Sequence, residues 1–258
     1  MIQNLLSEES EAAAMRYEIV IGAWKSIYFG AISSEDFGTS RQMFQSMNEA
    51  IRIAEAFLEG ERRKVVESVL YFSNRASLTT LLKFSNASVS KLSEPAIEHL
   101  REIQDYLLGE LETQVNRDLN LLKLSMQRVS LEISLSAKAH RLSNRGALIE
   151  YRIGGNQGVD FMFADRAGRQ IMSRKFVRSL WRSSLLSAYN ETILFIASEH
   201  GIDRLFVTHP DPKSQFYNLQ IAIGSAADLP TYSEIRSTVF HPNSDSYLSL
   251  EAQDVLPE

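Results

Sequence analysis

Cysteine is absent from this chain of 258 residues. That one absence removes disulfides, thiolate nucleophiles and cysteine-based zinc sites together. Long apolar runs are missing too. No uninterrupted stretch reaches the roughly 18 residues that a membrane-spanning helix needs, so no membrane contact is expected. The opening stretch, MIQNLLSEESEAAAMRYEIVIGAW, lacks the basic region of a secretion signal and carries acids, which predicts no signal peptide. Internal repeats and low-complexity segments do not occur. GGNQG at 154–158 is no phosphate loop: it lacks a following Gly-Lys-Ser/Thr and reads as a hairpin connection between two strands. Neither sign of charge dominates. A net charge of -5 favours solubility and argues against a dedicated nucleic-acid binder, while leaving room for a local basic patch.

What the chain does have is apolar surface at helical spacing. With 44% hydrophobic and 23% charged residues it can bury a good core, and its length suits two units. The most informative stretch runs over about 95–135, without an internal proline or a cluster of turn residues after its start. Leu108 leads into Val115, Leu119, Leu122, Met126, Val129 and Ile133, spaced alternately by three and four after Val115. That spacing is the seam of a long amphipathic helix packed on something equally long. About forty residues span roughly 60 Å, more than the diameter of a small domain. Leu121, Leu124 and Leu131 lie off this seam, so a second apolar face is available to intramolecular helices, a partner or another copy. Ser93 or Glu94 can cap the start, and Pro95 suits a first turn.

Before this helix the pattern predicts helices over 8–29, 44–58 and 62–71, with a loop at 33–40. Glu59-Gly60-Glu61 either interrupts the second or is passed through. Polar breaks are expected at 73–76 and 85–93 around a short helix, LTTLLKF. Trp24 and Trp181 read as core anchors. The character changes near residue 145, after a joint at 136–146. ALIEYRIGG reads as a strand, and VDFMFADRAGRQ as a strand and turn with Asp165 and Gly168 in the turn. A helix follows over about 173–200, with Gly201 as its C-cap. IDRLFVTH and FYNLQIAIG read as strands, and the remainder as mostly loop around a small strand or turn at 238–240. The expected fold is therefore α+β and mainly helical. Residues 1–140 form a helical domain with the rod, and 145–258 form a small mixed module.

Candidate chemistry is sparse. Arg174, Arg178 and Arg182 sit four apart on one helical stripe in the most basic segment, which also holds Arg166, Arg169 and Lys175. Such a stripe suits phosphates or an acidic partner, or is a solvated face paired with local acids. His209 and His241, with Asp211 and Asp245, contain the elements of a metal triad. HPD and HPN are equally ordinary turn sequences. Tyr189, Asn190 and Glu191 point three ways from a helix and form no cluster alone. Glu191 with His209 is a candidate acid–base pair, though no nucleophile stands beside it.

The stretches 181–224 and 229–250 resemble the C-terminal domain of phage minor head proteins of the Mu F type. The matching positions are Ala188, Tyr189, Asn190, Glu191, Gly201, His209, Asp211, Gly224, His241, Pro242 and Asn243. Members of that family often carry a Cys-x-x-Cys-like pair after the strand and a cysteine after His-Pro-Asn. Here Ser214 stands near the first and Ser244 at the second, so packing and hydrogen bonds must do what a metal would do. The resemblance implies a noncatalytic structural protein of a tailed-phage head, inside the capsid or near the portal vertex, and in the host cytoplasm during assembly. The absence of cysteine suits that setting. Portal protein or major capsid protein would be the partners, with weak contact to packaged DNA and self-association as further implications. No cofactor, metal or catalytic residue is expected on this reading. Two other classes stay open: a nucleic-acid-binding protein using the arginine stripe, and a small enzyme with a His/Glu site in the C-terminal module.

Overall fold

The computed structural model describes residues 2–82, 92–154, 158–165, 167–224 and 228–253. Long helices dominate: α1 (Ile2–Ser33), α2 (Ser40–Leu81) and α3 (Glu94–Ala139). A short α4 (Asn144–Ile153) leads to strands β1 (Met162–Ala164) and β2 (Gln170–Met172). Then come α5 (Ser173–Glu199), β3 (Arg204–Thr208), β4 (Gln220–Ala222), α6 (Tyr232–Val239) and β5 (Tyr247–Ser249). The fold is mainly helical with a small mixed α/β part, as the sequence pattern predicts.

Four elements differ from expectation, each for a local reason. The break expected at 73–76 does not occur, because α2 passes through it, and of the two alternatives at Glu59-Gly60-Glu61 the helix takes the uninterrupted one. One glycine costs a helix only about 1 kcal/mol. Serines and threonines stay helical when their hydroxyls have acceptors. Ser77 Oγ donates to Ser73 O at 3.0 Å and Thr80 Oγ1 to Ala76 O at 2.7 Å. The strand expected in ALIEYRI is instead α4. Ser143 caps it, its Oγ accepting from Gly146 N at 3.1 Å, and that start signal outweighs the β-branched residues that follow. The loop expected after residue 225 contains α6, whose first turn is closed by Thr231 N donating to Glu234 Oε2 at 2.7 Å. The small strand or turn expected at 238–240 is the end of that helix and its C-cap, and the strand of this region is β5. Most of the 85–93 break, the centre of GGNQG and Arg166 lie outside the described residues.

The chain divides into two compact units, each assembled from separate stretches. One comprises Ala12–Glu61 and Glu110–Val177. Its core holds Tyr17, Trp24, Leu122 and Met126, none of them solvent-exposed. Trp24 stacks near Phe161 with ring centres 5.7 Å apart, and its Nε1 donates to Ala50 O at 3.0 Å. Val115, Val129 and Ile133 are buried with Leu122 and Met126, Leu119 is half-buried, and Leu124 and Leu131 face outward. Burying each large side chain contributes about 1.5–3 kcal/mol. Arg152 closes the end of α1 by donating to Ile32 O and Ser34 O at 2.7 and 3.0 Å. The β1–β2 hairpin pairs Phe163 with Ile171. Asp165 Oδ1 accepts from Ala167 N and Arg169 N, and Gly168 takes a φ of 77°, as a turn requires.

The other unit comprises Met1–Glu11, Arg62–Gly109 and Arg178–Glu258. Its antiparallel sheet has the order β4-β3-β5, with Leu205 opposite Ile221 and Val207 opposite Leu248, all four buried. Phe72, Leu107, Trp181 and Leu185 fill the helical side of this core. Helix α5 stops where predicted. Gly201 adopts a φ of 68° and Ile202 N reaches back to Ala197 O at 2.9 Å.

Candidate functional site

Three helical segments of the second unit frame a cavity of about 710 Å³. Helix α3 supplies His99, Glu102 and Tyr106. Helix α5 supplies Ser183, Ser184, Ser187 and Glu191. Helix α6 and the turn after it supply Ser233, Arg236, Ser237 and His241. The spacings follow helix geometry: 99, 102, 103 and 106 share one face of α3, and 183, 184, 187 and 191 share one face of α5.

Glu191 is the centre of this arrangement and is itself buried. Its Oε1 lies 3.1 Å from Arg236 Nη2 and accepts from the Tyr232 hydroxyl at 3.3 Å. Its Oε2 is in close contact with His99 Nε2. The other ring nitrogen, His99 Nδ1, lies 2.9 Å from Glu102 Oε2. Arg236 also donates to Ser187 Oγ at 2.8 Å. Burial works against a charged His99, but its hydrogen bonds to Glu191 and Glu102 and their charges outweigh it. The pKa of His99 is therefore raised. Burial, reinforced by the Glu191 carboxylate, pushes the Tyr232 phenol far up.

This chemistry is charge compensation. An imidazole engaged at both nitrogens by carboxylates is favoured in its charged form, which makes it a weaker general base. Among the described residues no serine hydroxyl bonds to the His99 ring. Ser184 Oγ, buried in the cavity wall, has no partner among the described residues. The cleft thus offers hydroxyls and a half-exposed guanidinium to a polar group.

The expected residues fall elsewhere or serve other ends. His209 does not meet Glu191. Its Nδ1 accepts from Asp211 N at 3.0 Å, its own N–H donates to Gln253 Oε1 at 2.9 Å, and Asp211 Oδ1 accepts from Lys213 N. His241 does line the cavity, yet its Nδ1 accepts from Asn243 N at 3.2 Å, closing the His-Pro-Asn turn at Pro242. Among the described residues no group of three His, Asp or Glu side chains is placed to hold a metal ion. Tyr189 is buried against Tyr247, their ring centres 6.0 Å apart. Asn190 is fully buried, and its Oδ1 accepts from Leu248 N at 2.9 Å, tying α5 to β5. Ser214 and Ser244, standing where the resembling family has cysteine, accept from Phe216 N and Ser246 N and so close turns.

Each arginine of the stripe has a carboxylate. Arg174 lies 2.8 Å from Glu18 in the first unit. In the second unit Arg178 lies 3.1 Å from Glu11. Arg182 is buried, donating to Asp245 Oδ1, Gln3 Oε1, Ser7 Oγ and Ser244 O. A second buried cluster belongs to the first unit. Asp118 accepts from the Tyr17 hydroxyl at 2.6 Å and from Ser173 Oγ at 2.9 Å, while Gln114 Nε2 donates to Ser173 Oγ at 3.0 Å. Burial raises the Asp118 pKa against the lowering effect of those hydrogen bonds.

Sequence reasoning missed His99, Glu102, Tyr232 and Arg236. The legible signals were the three-residue spacing of His99 and Glu102 on a helix and the T-x-x-E start of α6. Nothing in the sequence links either to Glu191. Compared with protein-family models, curated proteins and solved structures, the chain matches none.

Proposed function

We propose that this chain is a noncatalytic structural protein that acts through its surfaces, a minor head component of a tailed-phage particle. Its place would be the capsid interior or the portal vertex, and portal protein or major capsid protein its partner. One observation carries the reading. The residues on which the resemblance rests serve as joints of the C-terminal module: Asn190 binds β5, Gly201 and Gly224 take positive φ, and His209 and His241 close turns. Ser214 and Ser244 supply hydrogen bonds at the family's cysteine positions, which fits a module held without metal.

Crosslinking and mass spectrometry on the native source test it. Crosslinks to portal or capsid protein are expected after gentle particle disruption. Recovery of the chain alone, free of any particle, would overturn the reading. The cavity around Glu191 favours a second reading, a small-ligand site or enzyme. Saturable thermal stabilisation by a small polar compound, lost in Arg236→Ala, would put that reading first. The nucleic-acid reading has no such support, because the stripe's guanidinium groups are already compensated by carboxylates.

A further inference from the structure

The first unit carries an apolar seam that is only partly covered: Ala54 is buried, while its neighbours along the seam are not. Along α2, Phe44, Met47, Ile51, Ala54 and Leu58 follow one another at spacings of three, four, three and four. That is the spacing of the buried seam on α3, and it selects one helix face for burial. Yet Phe44 is 67% exposed and Ile51 39% exposed. This face and the Val115–Leu119 face of α3 line a trough of about 940 Å³. Over 44–58 the trough runs about 21 Å, or four helical turns. Met43 and Met47 on its wall are flexible and adapt to varied apolar contacts.

Its rim is polarised. Gly38 packs against Ser130, and Tyr17 touches both Phe57 and Asp118, so α2 and α3 run in opposite directions here. Glu55 and Glu112 therefore fall toward the end marked by Leu58, and Lys123 toward the end marked by Met43 and Gln127. Among the described residues none of these three charges has an ion-pair partner. A bound α-helix carries partial positive charge at its N-terminus and partial negative charge at its C-terminus. Apolar floor, length and rim charge therefore suit one kind of occupant.

We propose that this trough docks a single amphipathic helix of another protein, about four turns long, with its N-terminal end at Glu55 and Glu112. A second copy of this chain fits less well. The outward leucines it would offer, Leu124, Leu131 and Leu135, are flanked by Arg128 and Glu132, which already pair with each other at 2.9 Å. The other charges beside them, Lys123 and Lys138, are both basic and have no acid partner among the described residues, so the stretch does not match a rim that is acidic at one end and basic at the other. The proposal does not depend on the particle to which the chain belongs.

The probe is a displayed library of helical peptides of about 16 residues, selected on the full chain. Expected winners carry an apolar stripe, basic residues in the first half and acidic residues in the second. Phe44→Ser, at an exposed position, is expected to weaken them about tenfold or more with an unchanged melting temperature. The combined variant Glu55→Lys, Glu112→Lys and Lys123→Glu is expected to reject them and to accept peptides of inverted charge order. Absence of any binder sensitive to Phe44→Ser would overturn the proposal, as would binders indifferent to the charge swap. A dimer in sedimentation that Phe44→Ser dissociates would assign the trough to a second copy instead.

Discussion

Two buried or half-buried ionisable residues make opposite demands on their surroundings. His99 lies between Glu191 and Glu102, which favour its charged form, with Arg236 and Tyr232 sharing the Glu191 carboxylate. Its folded pKa is raised above the unfolded value, so its stabilising contribution is fully present below the ordinary histidine pKa of about 6.5 and is lost as pH rises through the folded pKa. Urea denaturation from pH 6 to 8 should show this decline in the native chain and a flatter profile in His99→Gln. Partial solvent exposure limits the effect to no more than about 1 kcal/mol. Glu191→Gln should also lower the His99 pKa in a proton NMR titration. Asp118 is a carboxylate whose charge is penalised by burial and whose folded pKa is raised. Its site is most favourable when protonated, below about pH 4, and that margin is lost as pH rises through the folded pKa. At pH 7 Asp118→Asn keeps an acceptor for the Tyr17 hydroxyl and should be nearly neutral. Asp118→Ala leaves that buried hydroxyl without its acceptor and should cost about 1–3 kcal/mol by equilibrium unfolding.

Helix faces decide which substitutions matter. Leu122 and Leu131 are both leucines on α3, yet one is fully buried and the other 60% exposed. Leu122→Ala should cost about 2–5 kcal/mol, while Leu131→Ala should stay within about 0.5 kcal/mol, both read from urea midpoints. The glycines separate in the same way. A Cβ at Gly60 meets nothing within 4 Å, and its backbone is helical, so Gly60→Ala should stabilise by about 0.4–1 kcal/mol. Gly201 has a φ of 68°, so Gly201→Ala should destabilise by about 1–2 kcal/mol in the same assay. Both effects come from the backbone, since neither new methyl has a neighbour to clash with.

The whole chain folds through discontinuous units. Helices α1, α2, α3 and α5 each contribute a segment to both. A fragment ending at residue 140 therefore lacks Arg178–Glu258 of one unit and the hairpin and α4 of the other. It should remain largely helical by circular dichroism but show no cooperative thermal transition. A sharp transition matching the full chain would show that the helices are self-sufficient.

The sequence by itself determined the elements whose cause is local or periodic. The seam of α3 is a repeated apolar spacing, Gly201 and Gly168 mark backbone that needs positive φ, and β3 is a short β-branched and aromatic run. It also holds capping signals at Ser143 and Thr231, set beside β-branched residues and a turn-rich composition that point away from helix. Only the tertiary structure decided the site. His99 and Glu191 lie 92 residues apart, and Glu191 and Arg236 belong to different helices. A carboxylate's partners depend on which side chains packing brings within about 3 Å. The candidate acid–base pair of Glu191 with His209 gives way to Glu191 with His99 for that reason. The division into units was likewise settled by packing, because a long helix can bury one stretch in each of two cores without any change in its local pattern.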